Sequence, residues 1–422
     1  MKVLHISTQD SGGAANSTIR IHNALLKKGI NSNVLTLKKN SININKVFLF
    51  EGQILKKQIE YPLLTFKNLI IEKFTSNYLV NKALERKLIE EKQFYTNPIY
   101  SESKYGFTLF SYPDSIYDIT TSPEYRDADI VHLHWVANFL DYETFFKKNK
   151  KPILWTLHDE NPYLGGFHYQ DDVINNVNSH GVKEQEFLAL KAKCIQGTDK
   201  ISVISPSDWI AKTAKESSVF KDKRVNVIRY SIDKAIFKAR DKGYSRDLFQ
   251  LPHHKKIILV ASQDLSVPRK GVRFVEALLK DRTFDDFLFV FAGSNSTLKN
   301  SNVITLGTIQ DELLMSCLYS AADYFLLPSL LDNLPNTLLE SLHCGTPVVA
   351  FNIGDFEAIF KNNALGILVE AGNIEALKFA FTDILEDKYT FDTDKIVSKA
   401  LELFPEEKAV NAYVKEYELL LQ

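Results

Sequence analysis

Phe325-Leu-Leu-Pro-Ser-Leu-Leu-Asp332-Asn-Leu-Pro-Asn-Thr-Leu-Leu-Glu340-Ser-Leu-His-Cys-Gly345-Thr-Pro-Val-Val-Ala-Phe351 joins an apolar run, a polar turn, a helix and a second apolar run. Phe325-Leu-Leu and Val348-Val-Ala-Phe are short continuous apolar segments of the kind buried on both faces of a parallel sheet. Asn333-Leu-Pro-Asn-Thr reads as a turn that hands its backbone N–H groups to a helix N-terminus, where phosphate oxygens or sugar hydroxyls are welcome. Gly345 closes that helix as a residue free to take positive φ, and Pro347 prevents its continuation. Asp332 and Glu340, on the turn and on the helix behind it, are too far apart to pinch one atom but suit two parts of one elongated ligand.

The same alternation runs outward in both directions. Strands are expected at Val3–Ser7, Asn33–Leu37, Ile130–His134, Ile153–Leu157 and Ile201–Ile204, then at Ile257–Ala261, Leu288–Ala292, Val303–Leu306, Tyr324–Leu327 and Val348–Phe351. Turn or helix signals follow each, which argues for parallel βαβ units and an α/β class with two Rossmann-like domains. The boundary is placed near Ile228, giving domains 1–228 and 229–404, with a last helix over 405–422 that crosses back to the first domain. In open sheets of this type, ligands sit at the carboxyl ends of the strands, so both sheets would face one shared crevice.

At 422 residues the chain suits two domains, and 45% hydrophobic residues suits ordinary globular packing. A net charge of −1 gives no argument for nucleic acid. Cys194, Cys317 and Cys344 show no CxxC spacing, so neither a disulfide framework nor a zinc site is suggested. Met1-Lys-Val-Leu-His-Ile-Ser is a strand in pattern and too short for a signal-peptide core, and no run of eighteen apolar residues occurs. A cytoplasmic protein is expected. Residues 51–94 break the alternation and read as a helical insertion; its mixed Lys and Glu favour packing on the first domain over an amphipathic surface that associates peripherally with the inner membrane.

Candidate chemistry sits where strands end. Ser7-Thr-Gln-Asp-Ser-Gly12-Gly13-Ala-Ala-Asn16 follows the first strand, and its glycines let a phosphate or sugar approach the backbone at the start of a helix over Thr18–Lys28. Asp129-Ile-Val-His132-Leu-His134-Trp135 and Trp155-Thr-Leu-His158-Asp159 place polar groups at the carboxyl edge. His134 and Trp135 are expected to line an acceptor pocket, with Asp159 nearby. His158 is expected to hydrogen-bond a transferred group, and His132 to be a packed strand residue. His168 has a loop residue's surroundings. No histidine pair has zincin spacing, and Asp127-Ala-Asp129 precedes its strand, so no metal is expected. In the second half, Arg269-Lys270-Gly271 stands at a helix entrance, a clamp for a diphosphate that gains charge as a bond to it breaks. No Ser-His-Asp order, Cys-His pair or glycosidase-like carboxylate pair is evident.

These segments resemble retaining glycosyltransferases of family 4, whose motif runs Glu, seven residues, Glu, then a small-residue turn and Pro-Val-Val. Here Asp332 holds the first position, one methylene short, and Glu340 the second. His134-Trp135, Trp155-Thr-Leu-His158-Asp159 and Gly165-Gly-Phe-His168-Tyr further resemble the colanic-acid and exopolysaccharide subgroup, with Phe167 where that subgroup has cysteine. The resemblance implies a GT-B fold and a nucleotide-sugar donor, UDP- or GDP-linked, as substrate, with no cofactor. It implies that Asp332, with the backbone of the segment Asn333, Leu334, Pro335, Asn336 and Thr337, meets the donor sugar. Glu340 would meet the ribose, Arg269 and Lys270 the diphosphate, Gly12 and Gly13 would lie beneath it, and Gly293 would sit near the base. His158, Lys270 and Asp332 would be the catalytic set, and Asn16, His134, Trp135 and Asp159 would face a saccharide or lipid-linked saccharide acceptor. Two alternatives stay open: a nucleotide-sugar epimerase of the same fold, and a non-catalytic nucleotide-sugar-binding subunit.

Overall fold

The computed structural model describes residues 1–40, 44–55, 109–296, 298–361 and 364–422. Most of the expected insertion, residues 56–94, lies outside the described residues, and Gln53–Ile54 before it is a short strand. The first lobe is built on β1 (Lys2–Gln9), β2 (Asn31–Lys38), β3 (Val47–Leu49), β6 (Ile130–Leu133), β7 (Ile153–Thr156), β8 (Ile201–Ser205) and β9 (Arg224–Val227). They form one sheet in the order β3-β2-β1-β6-β7-β8-β9, parallel throughout. The short strand β4 (Gln53–Ile54) pairs antiparallel with β5 (Tyr117–Asp118) beside it.

The second lobe carries β10 (Lys256–Asp264), β11 (Phe287–Ser294), β12 (Val303–Gly307), β13 (Tyr324–Leu327), β14 (Val348–Phe351) and β15 (Gly366–Val369), ordered β12-β11-β10-β13-β14-β15. All its pairings are parallel. Strand order reverses beside β1 and beside β10, so each sheet has a topological switch point where its carboxyl-end loops diverge. Expectation missed β3, β9 and β15. β3 is three residues long, while Arg224-Val-Asn-Val alternates as an edge strand does and carries little apolar signal.

Both faces of each sheet are covered. Val290, Phe325, Leu339 and Val348 pack on one side of the second sheet, and Phe287, Phe289, Leu326 and Phe381 on the other. The helix Glu406–Leu421 lies on the first lobe: Tyr413 and Tyr417 pack with Val3, Leu25, Ile130 and Leu154, and the Tyr417 hydroxyl meets His132 Nδ1 at 2.7 Å. Residues after the second lobe thus complete the core of the first.

One further packing arrangement positions the site. The long helix Val177–Gln196 props the loop that follows β7. Glu184 accepts the backbone N–H groups of Gly165 (2.5 Å), Gly166 (2.6 Å) and Phe167 (3.2 Å). A Cβ on Gly165 would come within 2.0 Å of the Glu184 carbonyl oxygen, so only glycine lets loop and helix approach this closely. Lys191, 1% exposed, donates to the carbonyls of Asn161 (2.7 Å) and Leu164 (3.0 Å). Burial pushes the Lys191 ammonium down to about 7, with Glu184 opposing. Its folded-state value lies below the ordinary 10.5, so the unfolded chain holds more protons between about pH 7 and 10.5 and this group makes stability rise across that window. Urea denaturation of wild type and Lys191→Met at pH 7 and pH 9 should show wild type gaining on the order of 2 kcal/mol relative to the variant; a constant difference would refute the assignment.

Candidate functional site

The turn after β13 and the turn after β10 meet in the crevice. Gly271 has φ of 72°, and a Cβ there would lie 1.8 Å from the Pro328 carbonyl oxygen, so the cation-bearing turn presses directly on the exit of β13. This approach brings Lys270 Nζ to 2.5 Å from Asp332 Oδ2 and the Arg269 guanidinium to 3.8 Å from the same oxygen. Arg269 Nη1 donates to the Leu331 carbonyl at 3.1 Å, and its Nε is buried with no partner among the described residues. The guanidinium lies 5.1 Å from the centre of the Tyr169 ring, which reaches over from the first lobe. Burial pushes the Asp332 carboxyl up, but Lys270 and Arg269 outweigh it and hold it below the carboxylate range. Burial likewise pulls the Lys270 ammonium down, against the attraction of Asp332. The site therefore sets two partly buried cations beside Asp332, with Asp159 and Asp172 also attracting Arg269, and leaves one N–H unused among the described residues.

Glu340 lies on the helix Asn336–His343 and is 6% exposed. Its Oε1 accepts Arg20 Nη2 at 2.7 Å and its Oε2 accepts the Tyr319 hydroxyl at 2.9 Å. Sequence reasoning missed Arg20. It projects from the first-lobe helix Gly13–Lys27, also pairs with Glu312 at 2.6 Å, donates to Asn336 at 3.2 Å and lies over the Phe237 ring. The signal was spacing: Gly13, Ser17 and Arg20 share one helix face. Ser17 and the Gly13 carbonyl both bond Asn336, so that whole face meets the second lobe.

The expected role of His158 needs correction. Its Nδ1 lies 2.5 Å from the Tyr230 hydroxyl and its Nε2 3.0 Å from His134 Nδ1; His134 Nε2 in turn lies 2.9 Å from His5 Nδ1. Neither ring nitrogen of His158 is open to a sugar hydroxyl, and neither is that of His134 to an acceptor. Burial pushes His158 down to about 4 and His134 and His5 well below their usual range, so the row is neutral at pH 7. His5, His132 and His134, all buried, bring one nitrogen each within 4.8 Å of one another. His132 also meets Tyr417 and Thr156 through its two nitrogens, and His5 Nε2 is unengaged among the described residues.

Trp135 and Asp159 do come together, as donor and acceptor of one hydrogen bond: Trp135 Nε1 donates to Asp159 Oδ2 at 3.0 Å. The same oxygen meets His168 Nδ1 at 2.6 Å, and His168 Nε2 lies 2.8 Å from Ser111 Oγ. A Ser-His-Asp arrangement is thus present although none was expected from sequence. Ser111 is 1% exposed, so the hydroxyl cannot meet a substrate, and the array anchors the loop instead. Burial pushes Asp159 up, but the adjacent His168 holds it below the usual range.

The other expected residues divide clearly. Gly12 has φ of 103°, and a Cβ there would meet Gln263 of the second lobe at 2.5 Å; Gly13 has open space. Asn16 is exposed on its helix. Asn333 joins the lobes, donating to the carbonyls of Leu157 (3.2 Å) and His158 (3.3 Å) and accepting from Ser207 at 2.5 Å. Pro335 precedes the helix and Thr337 lies half-buried in its first turn. The Leu334 side chain is packed in the second-lobe core, and at Gly293 a Cβ would lie 1.9 Å from the Ser262 carbonyl oxygen. Asp127 and Asp129 bond Lys2 at the amino edge of the sheet, away from the crevice.

Residues 255–387 match the family model described as glycosyl transferases group 1. The chain is 27% identical over 134 residues to the UDP-Gal:alpha-D-GlcNAc-diphosphoundecaprenol alpha-1,3-galactosyltransferase of Escherichia coli, covering 29% of this chain and 35% of that protein. Alignments span from 35% to 66% of the length of the curated relatives matched. Sucrose-phosphate synthase from Thermosynechococcus elongatus superposes with a TM-score of 0.66 at 16% identity, covering 100% of this chain and 99% of that one. HepE of Anabaena, solved with UDP and glucose, gives 0.64 at 15% identity over 98% of both chains. The second lobe is thus similar to the glycosyl transferases group 1 family, within a chain of GT-B fold.

Proposed function

We propose that this protein transfers a sugar from a UDP- or GDP-linked donor to a saccharide or lipid-linked saccharide acceptor, with retention of configuration and without a metal, in surface-polysaccharide or glycan synthesis of family-4 type. The observation that carries the reading is the paired cation site: Arg269 and Lys270 stand together, partly buried, at a crevice beside Asp332, and Arg269 Nε has no partner among the described residues. A diphosphate supplies negative charge to both cations and the acceptor for that N–H. Its charge grows as the glycosidic bond breaks, so preorganised cations lower the barrier more than they strengthen ground-state binding. Asp332, freed from Lys270 by the phosphate, then takes a donor-sugar hydroxyl, while Glu340, with lone pairs left beyond Arg20 and Tyr319, takes the ribose. Trp135 forms part of the acceptor wall, in the cytoplasm or at the cytoplasmic face of the membrane. His158 serves through its place in the neutral row unless Tyr230 withdraws.

The E. coli relative's name specifies a UDP-sugar donor and a lipid-diphosphate acceptor, and the HepE structure holds UDP and glucose, which supports this class of donor. The epimerase alternative draws on no feature of the site. Lys270→Ala should lower the turnover of nucleotide-sugar consumption by about 100-fold or more while changing UDP affinity far less; unchanged turnover would remove the clamp from the mechanism. Glu340→Gln should weaken UDP binding, measured by calorimetry, by about tenfold. Equal affinity would show that the ribose lies elsewhere.

A further inference from the structure

We propose that a cavity on the flank of the first lobe is a saccharide subsite for uncharged pyranose units of the acceptor, an inference that rests on the transfer reading above. The cavity is about 460 Å³ and is walled by the loop after β7, the helix Asp208–Glu216 and Leu331. Its wall residues Leu331 and Glu160 are the chain neighbours of Asp332 and Asp159, so the cavity is one residue removed along the chain from each of these acids. Its size falls within the range of small-molecule sites, ~300–1,000 Å³.

Its chemistry selects the ligand. Glu160, Asp171 and Glu216 line it, and no lysine or arginine does. A phosphate or a uronate would meet three carboxylates and no counter-charge, whereas a sugar's hydroxyls are donors that carboxylates accept. Glu160 is held in place by the Tyr163 hydroxyl (3.1 Å) and the Gln170 backbone N–H (2.8 Å), and each of its oxygens keeps a further lone pair. Tyr163 is itself fixed by Thr213 at 2.8 Å.

Trp209 supplies the apolar wall. Its backbone N–H donates to Asp355 of the second lobe at 2.9 Å, and its indole is half-buried with no partner for Nε1 among the described residues. An indole beside carboxylates and the Gln170 carboxamide offers one apolar face for a pyranose C–H surface and rim groups for its hydroxyls. The occupant is therefore a neutral saccharide lying against Trp209, with the acceptor hydroxyl directed past Leu331 toward Asp332. Because Trp209 is also tied to Asp355, occupancy of the subsite would be sensed where the lobes touch.

The test uses the full chain with its three tryptophans, Trp135, Trp155 and Trp209, replaced by 5-fluorotryptophan and followed by fluorine NMR. Trp209→Phe identifies the Trp209 resonance. Titration with maltotriose, cellotriose and N,N′-diacetylchitobiose should move that resonance saturably for at least one of them and leave buried Trp155 in place, while glucose 6-phosphate moves nothing. Reversing the wall charge with Asp171→Lys and Glu216→Lys together should weaken the responding sugar about tenfold. The proposal is overturned if none of the neutral sugars moves the Trp209 signal, or if glucose 6-phosphate moves it equally. UDP and GDP added to the same protein separate this from the donor reading. A melting temperature unaffected by either nucleotide, together with a sugar-responsive Trp209, would sink the transfer reading and leave the subsite standing; nucleotide stabilisation with a silent Trp209 would do the reverse.

Discussion

Everything at the crevice depends on an electrostatic constraint at the exit of β13. A carboxylate that is 9% exposed cannot stay ionised without a counter-charge, and Asp332 obtains one from Lys270 and Arg269 on a neighbouring turn. That pairing is available only because Gly271 lets its turn lie against the Pro328 carbonyl. Holding these charges partly out of water has a desolvation cost that the rest of the fold must offset. The second-lobe core does so: Leu334 and Leu338, flanking the turn's own continuation into the helix, are buried beside Phe325 and Val348.

The same logic explains why the lobes touch where they do. Glu340 and Glu312 both belong to the second lobe, and the cation between them, Arg20, comes from the first. Asn333 is likewise satisfied by Leu157, His158 and Ser207 across the crevice, and Asp355 by the N–H groups of Asp208 and Trp209 at the start of their helix. A carboxylate at a helix N-terminus and a guanidinium between two acids are both charge-assisted contacts, stronger than neutral hydrogen bonds and dependent on geometry. The interface is thus polar. Moving the lobes apart would cost these contacts, and anything that competes for Glu340 or Lys270 would alter the balance at its source.

Sequence carried the architecture well because period and punctuation are local. Short apolar runs, each followed by a turn, located ten of the strands, and the Asp332 to Gly345 segment located the turn and helix that hold the acids. It carried side-chain partnerships poorly. His158 looked available because it follows a strand at the carboxyl edge, yet β1 and β6 set His5 opposite His132 in register, and with His134 two residues on, the imidazoles line up in a row. Ser111 lies 57 residues from His168 in sequence, and nothing local reveals that the Phe110–Phe167 bridge draws it to the His168–Asp159 pair. Arg20 was hidden for the same reason: its partners lie about 300 residues away. The close packing around Leu334 and Gly293 was equally out of sight, because it depends on the Phe325 and Ser262 neighbourhoods that only the folded chain assembles.

What emerges is a crevice polarised along its length. Cations gather at the turn after β10, facing Asp332 on the turn after β13, a neutral histidine row runs through the first sheet, and carboxylates without cations line the flank beyond Leu331. In a low-dielectric setting such separation of sign orients a ligand that is itself charged at one end and neutral at the other, because the reversed placement pairs like with like. Orientation of this kind requires no nucleophile from the protein. It fixes which end of a long substrate faces the cations, and it assigns the selection of the neutral end to the aromatic and carboxylate wall that Trp209 and Glu160 share.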